Sequence, residues 1–180
     1  TSIGGSALVG CRSLTSITVD SNNTVFDSRN NCNALIETST NTLIQGCKYT
    51  VIPNDVTSIS DFAFGYCSSL TSIDIPSGVT NIGAYAFDYC SSLTSIDIPS
   101  GVTRIGVAAF RGCRRLTSIT INAVTPPTLG SNAFDGSTCS IYVPCESLSA
   151  YQSAWSAYAS RIECIPREKI VLFEGSESFG

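Results

Sequence analysis

The 180-residue chain contains no histidine and no methionine, and charged residues make up only 13% of it. The absence of histidine removes the commonest general base and the commonest metal ligand together. Ten basic residues against fourteen acidic ones give a net charge of −4, which disfavours binding to nucleic acid and to anionic membranes. The sequence also lacks an apolar run of the roughly 18 residues that a membrane-spanning helix needs. These absences argue against histidine-based catalysis, nucleic-acid binding and direct membrane insertion.

An internal repeat is the most informative feature that is present. The stretch YCSSLTSIDIPSGVT occurs at 66–80 and again, without one substitution, at 89–103. Cys67, Cys90 and Cys113 follow one another at intervals of 23 residues. A fixed period of about 20 to 29 residues is typical of a solenoid in which each coil adds one layer to a continuous core. Identical residues are expected where a side chain packs on its own equivalent, about 4.8 Å away in the next coil.

Each coil contains a predicted strand. Leu70, Ile73 and Ile75 have the LxxLxL spacing of leucine-rich repeats. The two isoleucines alternate with Ser72 and Asp74, as in a strand with one buried face. The Pro-Ser-Gly that follows predicts a turn, and the glycine of the next Ile-Gly pair predicts a further bend. We therefore predict a leucine-rich repeat solenoid, mainly β, of parallel strands stacked at a 23-residue period with short helical or 3-10 segments.

The regular period covers only part of the chain. We assign a single solenoid to residues 1–166, and its N-terminal coil is partial, so we expect the chain to be a piece of a longer one. The parts in order are a partial coil at 1–19, an irregular insert coil at 20–53, regular coils at 54–144 and a helical C-terminal cap at 145–166. The tail at 167–180 departs from the pattern, and no structure is predicted for it.

The two irregular parts have their own signals. In the insert, Ala34–Glu37 and Thr42–Ile44 are strand-like runs around a Ser-Thr-Asn turn, which predicts a hairpin. Near the C-terminus, LGSNAFDG repeats the IGxxAF element one residue late, and SIYVP repeats SIDIP. Beyond SIYVP the apolar period becomes helical, which predicts a helix that lays its aromatic face on the last coil. The residues on that face are Leu148, Tyr151, Trp155, Tyr158 and Ile162.

These elements together resemble the BspA-like family of leucine-rich repeat proteins. The resemblance rests on SLTSIDIPSGVTNIGAYAFDYC in tandem, the NCNALIETSTNTLIQGC insert and the IYVPCESLSAYQSAWSAYASRI ending, and it extends from Thr1 to about Pro166. It implies secreted or cell-surface bacterial proteins that act as adhesins or binding modules, some of which engage host extracellular matrix. It implies no catalytic residues.

Nine cysteines raise the question of disulfide bonds or a metal site. Four of them, Cys11, Cys67, Cys90 and Cys113, share one repeat position beside the core phenylalanine, where Cys serves as a small apolar filler. Side chains that point in parallel do not readily give the disulfide dihedral near 90°, so we predict buried free thiols there. Bridges among Cys139, Cys145 and Cys164, or between Cys32 and Cys47, are the candidates elsewhere. Zinc is disfavoured because the chain has no CxxC pair and no histidine.

Two clusters of charge are candidates for a site. Asp74 and Asp97 are equivalent residues of adjacent coils and could hold Ca²⁺ or act as an acid/base pair. The flanking coils place Thr18 and Thr120 there, so a solvated polar face is the simpler interpretation.

Four arginines, Arg104, Arg111, Arg114 and Arg115, are concentrated in one coil and could contact an acidic partner. The repeat alignment places Arg111 between Asp88 and Asp135, which predicts a surface ion pair worth under about 1 kcal/mol.

Together with this resemblance, the sequence favours a non-catalytic extracellular module, without cofactor or metal, that binds a host matrix protein or a glycan through its exposed strand face. The residues predicted to contact the ligand are Ser72, Asp74, Ser95, Asp97, Ser118 and Thr120. The alternative function is a structural spacer within a larger surface protein. The identical repeat copies favour the spacer, because a site for one asymmetric partner usually breaks repeat symmetry.

Overall fold

A computed structural model of the chain describes residue 3 and residues 7–166, so the C-terminal tail for which no structure was predicted lies outside the described residues. Within them the backbone forms eleven short strands in two sheets, one α-helix and three 3-10 segments. No helix in this part of the chain is long and apolar enough to cross a membrane.

The first sheet has seven strands and begins with the insert. Strands β1 (Phe26–Asp27), β2 (Leu35–Glu37) and β3 (Thr42–Gln45) pair antiparallel, and β2 and β3 form the predicted hairpin. The remaining strands are parallel and continue from β3: β4 (Ser58–Ile59), β5 (Asn81–Ile82), β7 (Arg104–Ile105) and β9 (Thr128–Leu129).

The register of this sheet follows the sequence repeat. Ser58 pairs with Asn81 and Asn81 with Arg104, each 23 residues later, whereas Arg104 pairs with Thr128, 24 residues later. The one-residue delay predicted for the last IGxxAF element therefore appears as a shift in strand spacing, without loss of pairing.

The second sheet has four parallel strands, in the order β11-β10-β8-β6. They are β6 (Ser95–Ile98), β8 (Ser118–Ile121), β10 (Ser140–Val143) and β11 (Ile162–Cys164). Along β6, β8 and β10 every second residue is buried, which is the alternation that the sequence predicted.

The strand predicted at Ser72–Ile75 is not formed, and the second sheet ends at β6. One backbone hydrogen bond, from Thr94 N to Thr71 O at 3.3 Å, links this stretch to the start of β6. On its other side, across a groove, lie the end of the insert from Lys48 onward and the adjoining Asn54, instead of a regular coil. Without a strand on that side, the stretch remains an irregular edge although Ile73 is buried.

The core lies between the two sheets and is built from columns of identical residues. Phe64, Phe87, Phe110 and Phe134 form one column, with ring centroids 5.0, 5.2 and 5.8 Å apart along it. Each stacked aromatic pair contributes about 0.5–1.5 kcal/mol beyond the burial of its area. The leucines at 70, 93 and 116 and the isoleucines at 59, 82 and 105 are buried in the same way.

Gly83 has a packing role that the sequence did not indicate. It was predicted to allow a bend, but its φ is not in the left-handed region. A Cβ at this position would lie 2.5 Å from the backbone nitrogen of Asp61, in the preceding repeat. Glycine is required here because two backbones touch, and the same approach recurs at Gly106 and Gly130.

The C-terminal part is less helical than predicted. Helix α1 covers only Leu148–Ala154, between 3-10 segments at Cys145–Ser147 and Ser156–Arg161. The prediction that Ile162 lies on the helical face is wrong, because Ile162 begins β11, which pairs with β10. Pairing of the otherwise open β10 edge takes precedence over continuation of the helix.

The aromatic side chains of this region do pack on the last repeat. The ring centroid of Trp155 lies 6.0 Å from that of Phe134, and the ring of Tyr158 lies edge-on to Phe134 at 5.2 Å. The Tyr151 hydroxyl donates to Ala123 O at 2.7 Å, and the Trp155 indole donates to Pro127 O at 3.0 Å.

Three of the four cysteines at the shared repeat position are buried, as predicted. The Cys90 and Cys113 thiols donate to the carbonyl oxygens of Phe64 and Phe87 in the preceding repeats, each at 3.2 Å. Burial raises the pKa of Cys113 to about 12. The fourth member, Cys11, is exposed and contradicts the prediction, because no described residue covers it.

The candidate disulfide bonds are not formed. Cys32 and Cys47 are free thiols whose sulfurs face the carbonyl oxygens of Ala34 and Asn33. Cys139 and Cys145 are also free thiols, and Cys164 is half-buried on β11.

Candidate binding surface

Four of the six predicted contact residues lie together on the outer face of the second sheet. Ser95 pairs with Ser118, and Asp97 pairs with Thr120, on the adjacent strands β6 and β8. Ser95 and Asp97 are exposed, whereas the two residues on β8 are half-buried. The parallel register therefore holds the side chains in two rows, spaced by about 4.8 Å from strand to strand.

The same rows continue over β10 and β11 and bring in residues that the sequence prediction missed. Thr120 pairs with Tyr142, and Tyr142 pairs with Glu163, so the outer row reads Asp97, Thr120, Tyr142 and Glu163. In the other row Ser140 pairs with Ser118, and its hydroxyl donates to Glu163 Oε1 at 3.3 Å. The match of SIYVP to SIDIP was the signal for Tyr142, which occupies the aspartate position of the repeat.

We call this set of outward residues the strand face. Its members are Ser95, Asp97, Ser118, Thr120, Ser140, Tyr142 and Glu163.

The other two predicted residues, Ser72 and Asp74, are exposed but lie off the sheet. No strand pairing holds Asp74 beside Asp97, so the register that would align the two carboxylates for Ca²⁺ or acid/base chemistry is missing. Among the described residues, no group of three or more cysteine, aspartate or glutamate side chains is arranged to hold a metal ion.

Ser72 and Asp74 instead line a groove of about 510 Å³ beside the strand face. One wall is the stretch from Ser72 to Pro76, and the other is formed by the end of the insert from Lys48 to Ile52 together with Asn54. Tyr49 and Val51 project from the insert wall with exposed fractions of 56% and 71%. The groove thus places an aromatic and an aliphatic side chain next to a polar face that has few apolar anchors.

Hydrogen bonds within the insert fix the wall that carries Tyr49. The Thr50 hydroxyl donates to Asn33 O at 2.7 Å and accepts from Cys47 N at 2.8 Å. The Asn33 side-chain amide donates to Tyr49 O at 3.3 Å, and Lys48 Nζ lies 4.9 Å from the centroid of the Tyr49 ring. The groove wall is therefore a constrained segment, and its sequence is not repeated elsewhere in the chain.

An ion-pair cluster holds the insert against the first regular coil. Arg29 pairs with Asp27 in a two-pronged contact, with distances of 2.8 Å to Oδ1 and 2.6 Å to Oδ2, and it also pairs with Asp55. The side-chain hydrogen bonds from Arg29 lower the pKa of Asp27 to about 2, against the opposing effect of burial.

The arginine-rich coil contains one internal pair. Arg111 donates to both carboxylate oxygens of Asp88, at 2.9 and 2.8 Å. Asp88 is one of the two partners that the repeat alignment predicted. The prediction of a surface pair is wrong for the carboxylate, because the Asp88 side chain is only 1% exposed, whereas the Arg111 side chain is 35% exposed. Asp135, the other predicted partner, accepts a hydrogen bond from the Tyr158 hydroxyl at 3.3 Å.

Stacked parallel strands, columns of identical core residues and a polar outer face define a leucine-rich repeat fold. The BspA type leucine-rich repeat region matches residues 40–158 in six copies. The chain belongs to this family.

Two solved structures are similar to the chain. A leucine-rich repeat protein from Eubacterium ventriosum is 25% identical with a TM-score of 0.60, and the match covers 76% of this chain and 37% of that one. The pneumococcal vaccine antigen PcpA is 16% identical with a TM-score of 0.48, over 83% of this chain and 48% of that one. The chain thus spans less than half the length of either structure. A comparison with curated proteins found no match.

Proposed function

We propose that this chain is a non-catalytic recognition module of a larger bacterial surface protein, and that it binds an extracellular matrix protein or a glycan. The observation that carries the proposal is the strand face, where polar side chains from four parallel strands stand in register. Membership of the BspA-type family supports an extracellular or cell-surface location.

The groove supplies what the strand face lacks. Tyrosine is enriched among residues that anchor interfaces, and serine is depleted, so a row of hydroxyls alone is a weak binding site. Tyr49 at one end and Tyr142 on the face provide two aromatic anchors. We infer that a ligand lies across the strands, with polar contacts along the face and an apolar group against Tyr49 and Val51.

The insert also weakens the case for the alternative function, a structural spacer. The identical repeats favoured a spacer because repeat symmetry was intact there. The groove breaks that symmetry at one place, since one of its walls comes from the insert. A spacer remains the second candidate, and the exact repetition of YCSSLTSIDIPSGVT is what favours it.

We also infer that the chain is a rigid solenoid with the C-terminal helix as its cap. Rigidity favours binding because little conformational entropy is lost when a pre-ordered surface meets its ligand. Affinity would then come from many modest contacts.

A binding screen with matched variants tests this function. The purified chain would be passed over immobilised matrix proteins and glycans, beside a face variant, Ser95→Lys/Thr120→Lys, and a groove variant, Tyr49→Ala/Val51→Ser. The control, Thr128→Lys/Ser131→Lys, adds the same two charges at exposed positions on and beside the first sheet. Circular dichroism would establish that each protein is folded.

We expect saturable binding that the face and groove variants weaken at least about tenfold and the control leaves within about threefold. Equal binding by all four folded proteins would contradict the site. No binding by the folded wild-type chain would favour the spacer.

A further inference from the structure

A second surface, which shares no residue with the strand face or the groove, carries a ladder of aromatic and cationic side chains. The rings of Tyr66 and Tyr89 are stacked 5.2 Å apart with 7° between their planes. The Arg12 guanidinium lies 5.8 Å from the centroid of Tyr66, and the Arg111 guanidinium lies 5.5 Å from that of Tyr89. Cations therefore cover both ends of the tyrosine pair.

Both tyrosines occupy a backbone position that suits glycine better. Their φ angles are 62° and 54°, in the left-handed region that bulky residues rarely adopt. The equivalent position in three other repeats is glycine with positive φ, at Gly10, Gly112 and Gly136. Two adjacent repeats therefore carry a tyrosine where three others carry glycine.

Among the described residues, two arginines beside the ladder, Arg12 and Arg114, have no acidic partner. In the part of the chain that the structure describes, the ion pairs involve only Arg29 and Arg111. Arg12 and Arg114 are exposed and both line one cavity of about 220 Å³. Its other lining residues are Tyr66, Ser68, Tyr89 and Ser91.

The side chains that line this cavity favour a ligand rich in hydrogen-bond acceptors. Two guanidinium groups and four hydroxyls can all donate hydrogen bonds, and no carboxylate lines the cavity. Arg111 is already neutralised by Asp88, so the uncompensated charge comes from Arg12 and Arg114. A tetrahedral oxyanion offers three free acceptor oxygens to such donors, one more than a carboxylate does.

We propose that this cavity binds a sulfated sugar unit of an acidic glycan. The volume admits a group of about one monosaccharide, and serine hydroxyls suit a hydroxyl-bearing ring. Although the chain has a net charge of −4, the local field here is positive, and it is the local charge that an anion meets.

The test is titration of the whole 180-residue chain with a heparin-derived octasaccharide and with its desulfated counterpart. The site variant is Arg12→Gln/Arg114→Gln. The control is Arg104→Gln/Arg115→Gln, which removes the same charge from exposed arginines that do not line the cavity. A second variant, Tyr66→Phe/Tyr89→Phe, keeps the stacked rings and removes only the hydroxyl donors.

We expect saturable binding of the sulfated octasaccharide, weakened at least about tenfold in the site variant and less than about threefold in the control. The tyrosine variant should lose affinity with an unchanged melting temperature. Equal losses in site variant and control would reduce the effect to general charge attraction and overturn the proposal. So would equal binding of the desulfated sugar, or preferential binding of a sulfotyrosine peptide. These outcomes are independent of the strand-face variants.

Discussion

Asp88 is the only charged side chain among residue 3 and residues 7–166 that is buried. Its carboxylate accepts two hydrogen bonds from Arg111, whose guanidinium also lies over the rings of Tyr85 and Tyr89 at 5.2 and 5.5 Å. The Asp88 hydrogen bond raises the pKa of Arg111, so the guanidinium keeps its charge. The repeat alignment predicted Asp88 as the partner of Arg111. It did not predict that Asp88 is buried, because burial depends on the surrounding rings.

Arg111→Gln should therefore destabilise the fold by about 2 kcal/mol or more, because it leaves a buried carboxylate unpaired. The matched change Arg104→Gln, at an exposed arginine of the same coil, should stay within about 0.5 kcal/mol of wild type. Urea unfolding at neutral pH measures both. Equal midpoints for the two variants would show that the pair behaves as an exposed one.

Asp27 governs a pH dependence at the insert. Its folded pKa, about 2, is depressed below the ordinary value of 3.8 by the hydrogen bonds from Arg29. A depressed carboxyl pKa stabilises the fold at pH values above the unfolded pKa, and this stabilisation is lost as the pH falls through the folded pKa.

We expect the stability of the wild type to fall between about pH 4 and pH 2 as Asp27 is protonated. Asp27→Asn should flatten that part of the stability profile and lower the stability at pH 7. Denaturant midpoints measured at half-unit pH steps check this. Parallel profiles for the two proteins would mean that Asp27 titrates alike in both states.

At the scale of the elements, β6 exemplifies the repeat. Ile96 is 3% exposed and Ile98 is fully buried, whereas Ser95 and Asp97 point to solvent. The alternation in SIDI was sufficient to predict this, because the period of a strand assigns its faces without reference to neighbours. It did not predict that the same letters at residues 72–75 form no strand. A strand is defined by its pairing, and the insert lies where a further coil would stand.

Ile96→Asp should unfold the chain or nearly so, since it buries an unpaired charge in the core. Ser95→Ala, one position along the same strand, should change stability by less than about 0.5 kcal/mol. Thermal melts followed by circular dichroism compare the two. A similar loss in both variants would contradict the assignment of inward and outward faces.

In the C-terminal region, helical spacing of apolar residues predicts one element correctly and another wrongly. Leu148, Tyr151 and Trp155 have helical spacing, and α1 begins and ends within that stretch. Ile162 continues the same spacing but joins β10 as a strand. Local sequence could not distinguish these outcomes, because the edge of β10 that Ile162 covers is created by the tertiary fold.

For the whole molecule, contact between successive repeats depends on a column of glycines. At Gly83 the backbone of one repeat meets that of the preceding one so closely that any side chain would overlap Asp61 N and Ser60 C. Gly78, in the same repeat, has the carbonyl oxygen of Asn54 as its nearest neighbour, at 3.3 Å from a Cβ.

Gly83→Ala should destabilise the chain by about 3 kcal/mol, because the two backbones must separate. Gly78→Ala should cost less than about 1 kcal/mol, since a shift of a few tenths of an ångström relieves its contact. Both can be measured by denaturant unfolding. If the two alanine variants were equally stable, the repeats would not be in direct backbone contact at this column.

The sequence by itself determined the repeat, its inward and outward residues, the hairpin of the insert and the one-residue delay near the C-terminus. The repeat and its inward and outward residues are visible in the sequence because each layer packs on its own copy, and the hairpin is visible because its two strands are neighbours in sequence. The tertiary structure alone decided the groove between the insert and Ser72–Pro76, the burial of Asp88, the strand at Ile162 and the cavity between Arg12 and Arg114. Each of these depends on segments that are distant in sequence and follow different patterns, so their meeting is fixed only when the layers are stacked.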